Sequence, residues 1–568
     1  MSTPAPVQLV WELETPASIQ ATWALFGDTD RFNRAVGFDF RFQESQRPDG
    51  TVKRTGTAKA LGVVNLTWEE RPFRYRVPEW FKSVRLFEGS PAERLETELE
   101  LHDRGGSTAI TYTVSVTPRS AWTKPIVALE LKTVTRPKID KAFQVLLARL
   151  AGTDARYDPL PPPLPADAEA RLLDAVPRVP PPVGEKLATL LREAPEADQA
   201  QIHALQLGQA WQVAEDHVLD GVLAAVREGV LELRWDLLCP SCRGPKQSVA
   251  SLADVPETVH CPSCNITYDG TFPDSIVVTF KPAPALRTLN VPIACLGSPF
   301  RTPHVLASEE LDPSGSTTLR VKLAAGAYRI RTLPERDVVS LMVRDDAPDE
   351  PLKLAIQTRA LQPQRLVAKP GVVEIAVDNY AGAPLTLMLE DRALPEGVLT
   401  MGRLLERPRA VELLPPEAVM PGMDVVTRHG TVLAIQALDD QALSRAERAV
   451  QSAEVVRVSP QGLVAVWAEF APAARVAAVL SQDPGLQLAL NPGPVTHVTL
   501  GDRALPVGST VEGALGALVG AAEGHAAIPV TRAESAEVRA VLSAHIKLIK
   551  VDFGLSSGVR VHWLEFKT

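Results

Sequence analysis

Four cysteines stand in two identical tetrapeptides, Cys239-Pro-Ser-Cys242 and Cys261-Pro-Ser-Cys264, with eighteen residues between them. Two thiolates three positions apart on a tight turn can face one ion. Two such turns complete a tetrahedral four-thiolate shell of the kind that holds zinc. The proline presets each turn. With every coordination position taken by protein, no site stays open for water or substrate. The expected cofactor is therefore one structural Zn²⁺ on Cys239, Cys242, Cys261 and Cys264. The other use of Cys-x-x-Cys is a redox dithiol, which needs one motif in a βαβ setting, not two in a small β-rich insert. His260 adjoins Cys261 and reads as a neighbour of the ion or a solvent-facing residue, not as a fifth ligand. Cys295 is left over and reads as a small core hydrophobe.

Little else in the chain carries a reaction. Walker and His-Glu-x-x-His patterns are absent from the sequence, and the ten histidines are scattered. The chain has 568 residues, which corresponds to about three to five domains. With 45% apolar and 22% charged residues it can fill several cores. A net charge of -9 argues against a general nucleic-acid binder. Met1 to Val10 lacks a basic start and an apolar stretch, and no apolar run reaches the ~20 residues that span a bilayer. The reading is a cytoplasmic protein with no membrane span, whose cysteines are not a disulfide framework.

The elements that must position these residues fall into six stretches, and the expected fold class is multidomain α+β. Residues 1–155 read as a strand, a short helix over Ala17 to Val36, a series of strands to Thr117, and a long helix from about Ala121 to Leu150. This order resembles the helix-grip fold of the START and polyketide-cyclase-like superfamily. The resemblance implies a curved sheet wrapped around the last helix. It is compatible with a carrier of a small apolar ligand and equally with a packed domain. Residues 156–183 hold nine prolines between Tyr157 and Val183 and read as a semi-rigid extended linker. Residues 184–236 read as short helices and a final strand, a pattern compatible with a small winged helix. From Lys186 to Asp236, however, four basic residues face nine acidic ones, which would repel a phosphate backbone. Residues 237–285 form the zinc-ribbon segment. Residues 286–399 alternate like a β-sandwich, with turns at Asp312-Pro313-Ser314-Gly315 and Gly326. Residues 400–568 mix strands and helices.

The last stretch resembles class III adenylate and guanylate cyclases, whose core is a ferredoxin-like βαββαβ unit. Thr431 to Gln436 matches the first strand, Val456 to Trp467 the hairpin, and Ala471 to Leu480 the following helix. Leu486 to Val495, with Asn491-Pro492-Gly493-Pro494, resembles a later strand and turn, and Gly508 to Gly516 the last signature. The departures fall on the functional positions. The resemblance places the two metal-binding aspartates at Gln436 and Gln461, and a neutral amide cannot supply the charge a hard cation needs. It places the ribose-orienting Asn at Glu512 and the transition-state Arg at Gly516. The base-selecting Lys and Asp fall on Arg457 and Leu505. Asp439-Asp440 lies just past the first metal position and reads as a solvated helix start, the alternative being displaced metal ligands.

The whole order also resembles a multidomain bacterial cyclase family with a helix-grip region, a zinc ribbon, a β-domain and a C-terminal cyclase. Trp235 to Arg243, Ser298-Pro299 through Pro303-His304-Val305, and Gly326 to Arg331 carry that likeness. It implies a pseudocyclase: a regulatory or scaffold protein without catalytic residues. Such a protein would dock a protein partner or a second copy through its C-terminal domain and sense a small apolar ligand in its N-terminal one. A divergent nucleotidyl cyclase and a small-molecule or lipid carrier are the rival expectations.

Overall fold

In the computed structural model of the chain, the described residues are 4–38, 40–47, 52–60, 64–153, 157–158, 160–239, 243–256, 258–261, 266–269, 276–289, 291, 298–333, 338–358, 360–392, 397–419, 423–459, 462–500, 503–518, 521, 525–533, 535–541, 546–549 and 561–566. Cys242, Cys264, Cys295 and Gln461 lie outside them.

The first unit runs β1 (Val7–Thr15), α1 (Ile19–Phe26), α2 (Thr29–Ala35), β2 (Arg41–Gln46), β3 (Val52–Ala60), β4 (Val64–Glu70), β5 (Arg74–Arg76), β6 (Trp80–Glu88), β7 (Ala92–Asp103) and β8 (Thr108–Pro118). It closes with α3 (Lys124–Glu130), a π-helical turn over Leu131–Thr135, and α4 (Arg136–Leu150). Ser18 and Asp28 cap α1 and α2 by accepting the Ala21 and Arg31 amides. The strands order as β1-β8-β7-β6, and β4, β3 and β2 continue from one end of β6. Alternation along β8 turns Ile110, Tyr112, Val114 and Val116 inward. The inward face of α4, Ile139, Ala142, Phe143 and Leu146, packs on them. A sheet gripping a long C-terminal helix defines a helix-grip domain.

A second aromatic group sits on the β2–β4 extension. Phe40, Phe42 and Phe87 surround the Trp68 ring at centroid distances of 5.2 to 5.8 Å, and the Arg85 guanidinium lies over Phe40 and Trp68. Trp68 lies flat across β3 because Gly56 has no side chain; a Cβ there would come within 2.2 Å of the ring. Gly56→Ala is therefore expected to destabilise this domain by about 1–3 kcal/mol through overpacking. Denaturant unfolding followed by tryptophan fluorescence checks this. An unchanged midpoint would show that the ring has room to move.

The proline-rich stretch is not an extended spacer throughout. Its proline-free part forms α5 (Ala166–Ala175), which buries Ala168, Leu172 and Ala175. These three stand four and three apart, so one helical face is apolar, and Pro165 needs no amide at the helix start. The helix joins a core shared with α6 (Val183–Glu193), α8 (Ala204–Trp211) and α9 (Glu215–Arg227), and the short α7 (Glu196–Gln199) links α6 to α8. Next come β9 (Leu231–Leu238), β10 (Pro245–Val249), β11 (Thr258–Cys261), β12 (Ile266–Asp269) and β13 (Ile276–Pro282). β9 is the central strand of a three-stranded sheet, β10-β9-β13, while β11 and β12 form a separate hairpin. The helices and the cysteine-bearing hairpins thus share one strand and one core.

The third unit contains β14 (Val305–Leu311), β15 (Ser316–Leu323), β16 (Gly326–Leu333), β17 (Val338–Val343), β18 (Leu352–Gln357), β19 (Ala360–Gln362), β20 (Arg365–Ala368), β21 (Gly371–Asn379) and β22 (Leu385–Asp391). One sheet, β14-β22-β16-β17-β20, faces another, β15-β21-β18-β19, around a single apolar core. β14 also pairs antiparallel with β5, Ala307 opposite Arg76 and Ser308 opposite Tyr75. The gripping sheet of the first unit therefore runs on into the third. Ion pairs Arg71–Glu310 at 2.6 Å and Arg74–Glu309 at 3.1 Å flank the seam.

Two short helices, α10 (Met401–Leu405) and α11 (Pro408–Leu413), pack into the core of the second unit, to which Leu399, Met401, Leu404 and Leu405 contribute. The last unit runs β23 (Asp424–Ala437), α12 (Asp440–Ala449), β24 (Val455–Ser459), β25 (Gly462–Trp467), α13 (Phe470–Leu480), β26 (Leu486–Leu500), β27 (Arg503–Val507), α14 (Ser509–Ala517), β28 (His525–Pro529), β29 (Ile546–Ile549) and β30 (Val561–Phe566). Its first four strands order as β24-β25-β23-β26, with β23 antiparallel to both neighbours. Asn491-Pro492-Gly493-Pro494 is not a turn: Pro492 pairs with Thr431 and Pro494 with His429 inside β26. On the other edge of β26, β28 pairs at 488–489 and β27 at 496–500. The prolines fall in the gap between them, where a missing N–H costs no ladder bond. Among the described residues, no helix is long and apolar enough to cross a membrane.

Candidate functional site

Cys239 directly follows β9 and Cys261 ends β11, and both are fully buried in one core with Trp235, Leu237 and Tyr268. The turn after Cys239 is closed by backbone bonds. Arg243 N donates to Cys239 O at 2.7 Å, and Cys239 N donates to Gly244 O at 3.1 Å. Arg243 adopts φ +49°, the left-handed region, to close it. Their partner cysteines Cys242 and Cys264 are outside the described residues. His260 is exposed, its Nδ1 3.3 Å from the Thr267 hydroxyl on the paired strand.

Arg243 leads from this turn into a buried charge cluster. Its guanidinium donates to the carbonyl of Arg392 at the end of β22. Glu390, on the same strand and buried, accepts from Arg329 and Arg331, the latter at 2.5 Å. Burial works against ionisation of Glu390, but the two guanidinium groups override it and hold its carboxyl below the usual range. The Nε2 of buried His304 is 3.9 Å from the same carboxylate. Its burial, reinforced by Arg243, Arg329 and Arg331, outweighs Glu390 and pushes the imidazole down to about 3, so it is neutral near pH 7. Arg392 is pushed down to about 10 by burial and by the facing Arg329 and Arg243. It donates to Gln436 Oε1 at 2.9 Å.

Gln436 is a position at which the class III cyclase resemblance places a metal ligand. Glu512, on α14, accepts a hydrogen bond from the Thr400 hydroxyl. Burial raises its carboxyl, against the Thr400 bond and Arg403. Beside it, Glu406 accepts the Ser509 amide at the start of α14 at 2.6 Å, and Gly402 lies so close to Gly508 that a Cβ would meet its nitrogen at 2.8 Å. Leu505 is buried in the core of the second unit, Arg457 is buried on β24, and Gly516 lies on α14. Asp439 accepts the Ala442 amide at 2.7 Å as the cap of α12, and Asp440 is exposed in its first turn. The cluster around Glu390 escaped the sequence reading. Its one local signal is Arg329 and Arg331 two apart on an otherwise apolar strand, which puts both on one face.

In the first unit, four rings fill the space around Phe143 under α4. Trp11, Phe26, Phe32 and Tyr112 stand 5.1 to 5.8 Å from it. An open hollow of about 450 Å³ lies instead at the edge between α2 and α4, lined by Arg34, Val36, Lys138, Lys141, Val145 and Tyr157. Among the described residues, the buried Tyr157 hydroxyl in its wall has no hydrogen-bond partner.

A family model described as a family of unknown function, DUF5939, matches residues 167–292, from the start of α5 past β13. No curated protein matches the chain. Among solved structures, the chain is similar to the Zhui aromatase/cyclase from Streptomyces sp. R1128 at 13% identity, over 26% of this chain and 94% of that one, with a TM-score of 0.20. A START superfamily protein from Mycobacterium smegmatis matches at 14% identity over 25% and 98%, also at TM-score 0.20. The catalytic core of a rhodopsin-guanylyl cyclase matches at 12% identity over 26% and 100%, at TM-score 0.21. The helix-grip assignment rests on strand order and on the position of α4.

Proposed function

We propose that this chain is a non-catalytic regulatory or scaffold protein, in which a degenerate class III cyclase domain is locked to the rest of the molecule. The observation that carries this reading is where the resembled functional positions go. Gln436 accepts Arg392 from the two-sheet unit, and Glu512 accepts Thr400 from the segment before α10. Side chains at the metal and ribose positions are engaged in contacts between units. A guanidinium beside Gln436 further opposes a divalent cation there. The strand order β24-β25-β23-β26, with α12 and α13 between strands, supports a ferredoxin-like core. Losing one transition-state contact typically costs a hundredfold or more in rate. Several losses together are expected to leave no cyclic AMP or cyclic GMP synthesis. Assaying purified full-length protein with ATP or GTP and Mn²⁺ checks this. Turnover that disappears in Asp439→Ala or Asp440→Ala would overturn the reading in favour of displaced ligands.

The same reading places one structural Zn²⁺ on Cys239, Cys242, Cys261 and Cys264. Burial of both described thiols, and the closed turn after Cys239, suit such an ion. When bound it would supply cross-linking of two hairpins and no reaction. A ligand-sensing role for the N-terminal domain is favoured by the cation-flanked hollow and by the Tyr157 hydroxyl, which has no hydrogen-bond partner among the described residues; both suit an apolar molecule with an anionic end. Native mass spectrometry for a co-purified small molecule tests it.

A further inference from the structure

We propose that α3 docks this protein onto anionic membrane surfaces. Trp122 is 90% exposed, Ile126 58% and Leu129 64%. The spacing of four and three residues puts them on one side of the helix and the turn leading into it. Val127 and Leu131 are buried on the other side and hold the helix to the domain. A contiguous apolar stripe that large on a soluble surface marks an interaction site. The π-helical turn at Leu131–Thr135 separates this stripe from the buried face of α4. It shifts the helical register, so that one nearly continuous helix presents different faces outward along its length.

Charge selects the occupant. From residue 124 to 141 the cations Lys124, Lys132, Arg136, Lys138 and Lys141 are all exposed. The acidic residues there are Glu130 and Asp140; Asp140 accepts the Trp11 indole at 2.6 Å and lies 3.9 Å from the Arg136 guanidinium, so Lys124, Lys132, Lys138 and Lys141 carry the strip's excess charge. This basic strip stands out on a chain of net charge -9. An indole with aliphatic neighbours, set among lysines and an arginine, fits the boundary between acyl chains and anionic headgroups. The indole and the two aliphatic side chains would enter the boundary while the ammonium groups remain at headgroup level.

The test is co-sedimentation of the full-length protein with vesicles of pure phosphatidylcholine and with vesicles enriched in phosphatidylglycerol. The expected result is binding to the phosphatidylglycerol vesicles that weakens with added salt. Trp122→Ser combined with Ile126→Ser should weaken it on the order of tenfold or more, because the anchoring apolar area is lost. Lys124→Glu combined with Lys132→Glu should remove the preference for phosphatidylglycerol. All four positions are exposed, so these variants are expected to keep the melting temperature of the parent. A protein that stays in the supernatant, or a double-serine variant that binds as the parent does, would overturn the proposal. So would a parent dimer that the double-serine variant converts to monomer without any lipid binding, which would assign the stripe to a second copy.

Discussion

Replacing Cys239 by serine is expected to abolish stoichiometric zinc and to unfold the hairpins that carry the cysteine motifs. The paired Cys-Pro-Ser-Cys turns motivate the expectation. A structural four-thiolate site contributes on the order of 10 kcal/mol of folding free energy in small metal-bound units. Cys239 is fully buried with Trp235 and Leu237, in the core that also takes in α5, α6, α8, α9, α10 and α11. The damage should therefore spread beyond the hairpins. The turn that Cys239 closes also positions Arg243, whose guanidinium reaches the carbonyl of Arg392. Two measurements check this: metal content per chain by atomic absorption, and thermal melting of parent and variant. About one zinc per parent chain, lost in the variant together with a lower melting temperature, is the expected pair. A metal-free parent, or a variant with unchanged melting, would sink the zinc assignment.

The second large effect belongs to Glu390. Its carboxylate meets Arg329 and Arg331 in a buried setting, with neutral His304 nearby. Removing one partner of such a pair leaves uncompensated buried charge and costs about 3–5 kcal/mol. Glu390→Ala should cost that much, and Glu390→Gln less, since the amide oxygen still accepts one guanidinium bond. The pH dependence follows from the direction of the shift. The folded carboxyl titrates below its ordinary value of 4.5, so the unfolded chain binds its proton first. The contribution of Glu390 is then fully present above that ordinary value and is lost as pH falls through the folded one. The melting difference between parent and Glu390→Gln should be constant near neutral pH and shrink in acid. His304 acts in the same direction over a different range. Its imidazole, pushed down to about 3 from 6.5, withdraws stability as pH drops below 6.5. A parent-to-variant difference that does not change with pH would show that the Glu390 carboxylate gains nothing from its arginines.

Some of this was legible in the residues because the physics is local. Alternation along β8 and the helical spacing of α4 follow from periods of 2 and 3.6, and they suffice for a helix-grip order. The Asp439 cap follows from a side chain that reaches an amide three residues on. The proline stretch misled because proline density was averaged over a window that contains eleven consecutive proline-free residues, 166–176. The turn expected at Asn491 to Pro494 misled for another reason. Pro-Gly-Pro normally breaks a ladder, and only the unpaired edge of β26 between β27 and β28 lets it continue.

The sequence alone determined the two thiol pairs, the alternation of the sheets, the neutral residues where the cyclase resemblance places metal ligands, and the acid–base imbalance that disfavours nucleic acid. The tertiary structure decided which distant strands meet. β5 pairs with β14 across more than two hundred residues, and α10 and α11 fold back into the core that begins at α5. It also decided that Arg392 faces Gln436, that Thr400 faces Glu512, and that Arg329 and Arg331 converge on Glu390. Periodicity reports only which side of an element is apolar. The partner of that side is chosen by long-range closure of the chain, where many weak contacts are satisfied together and no short window of residues records the outcome.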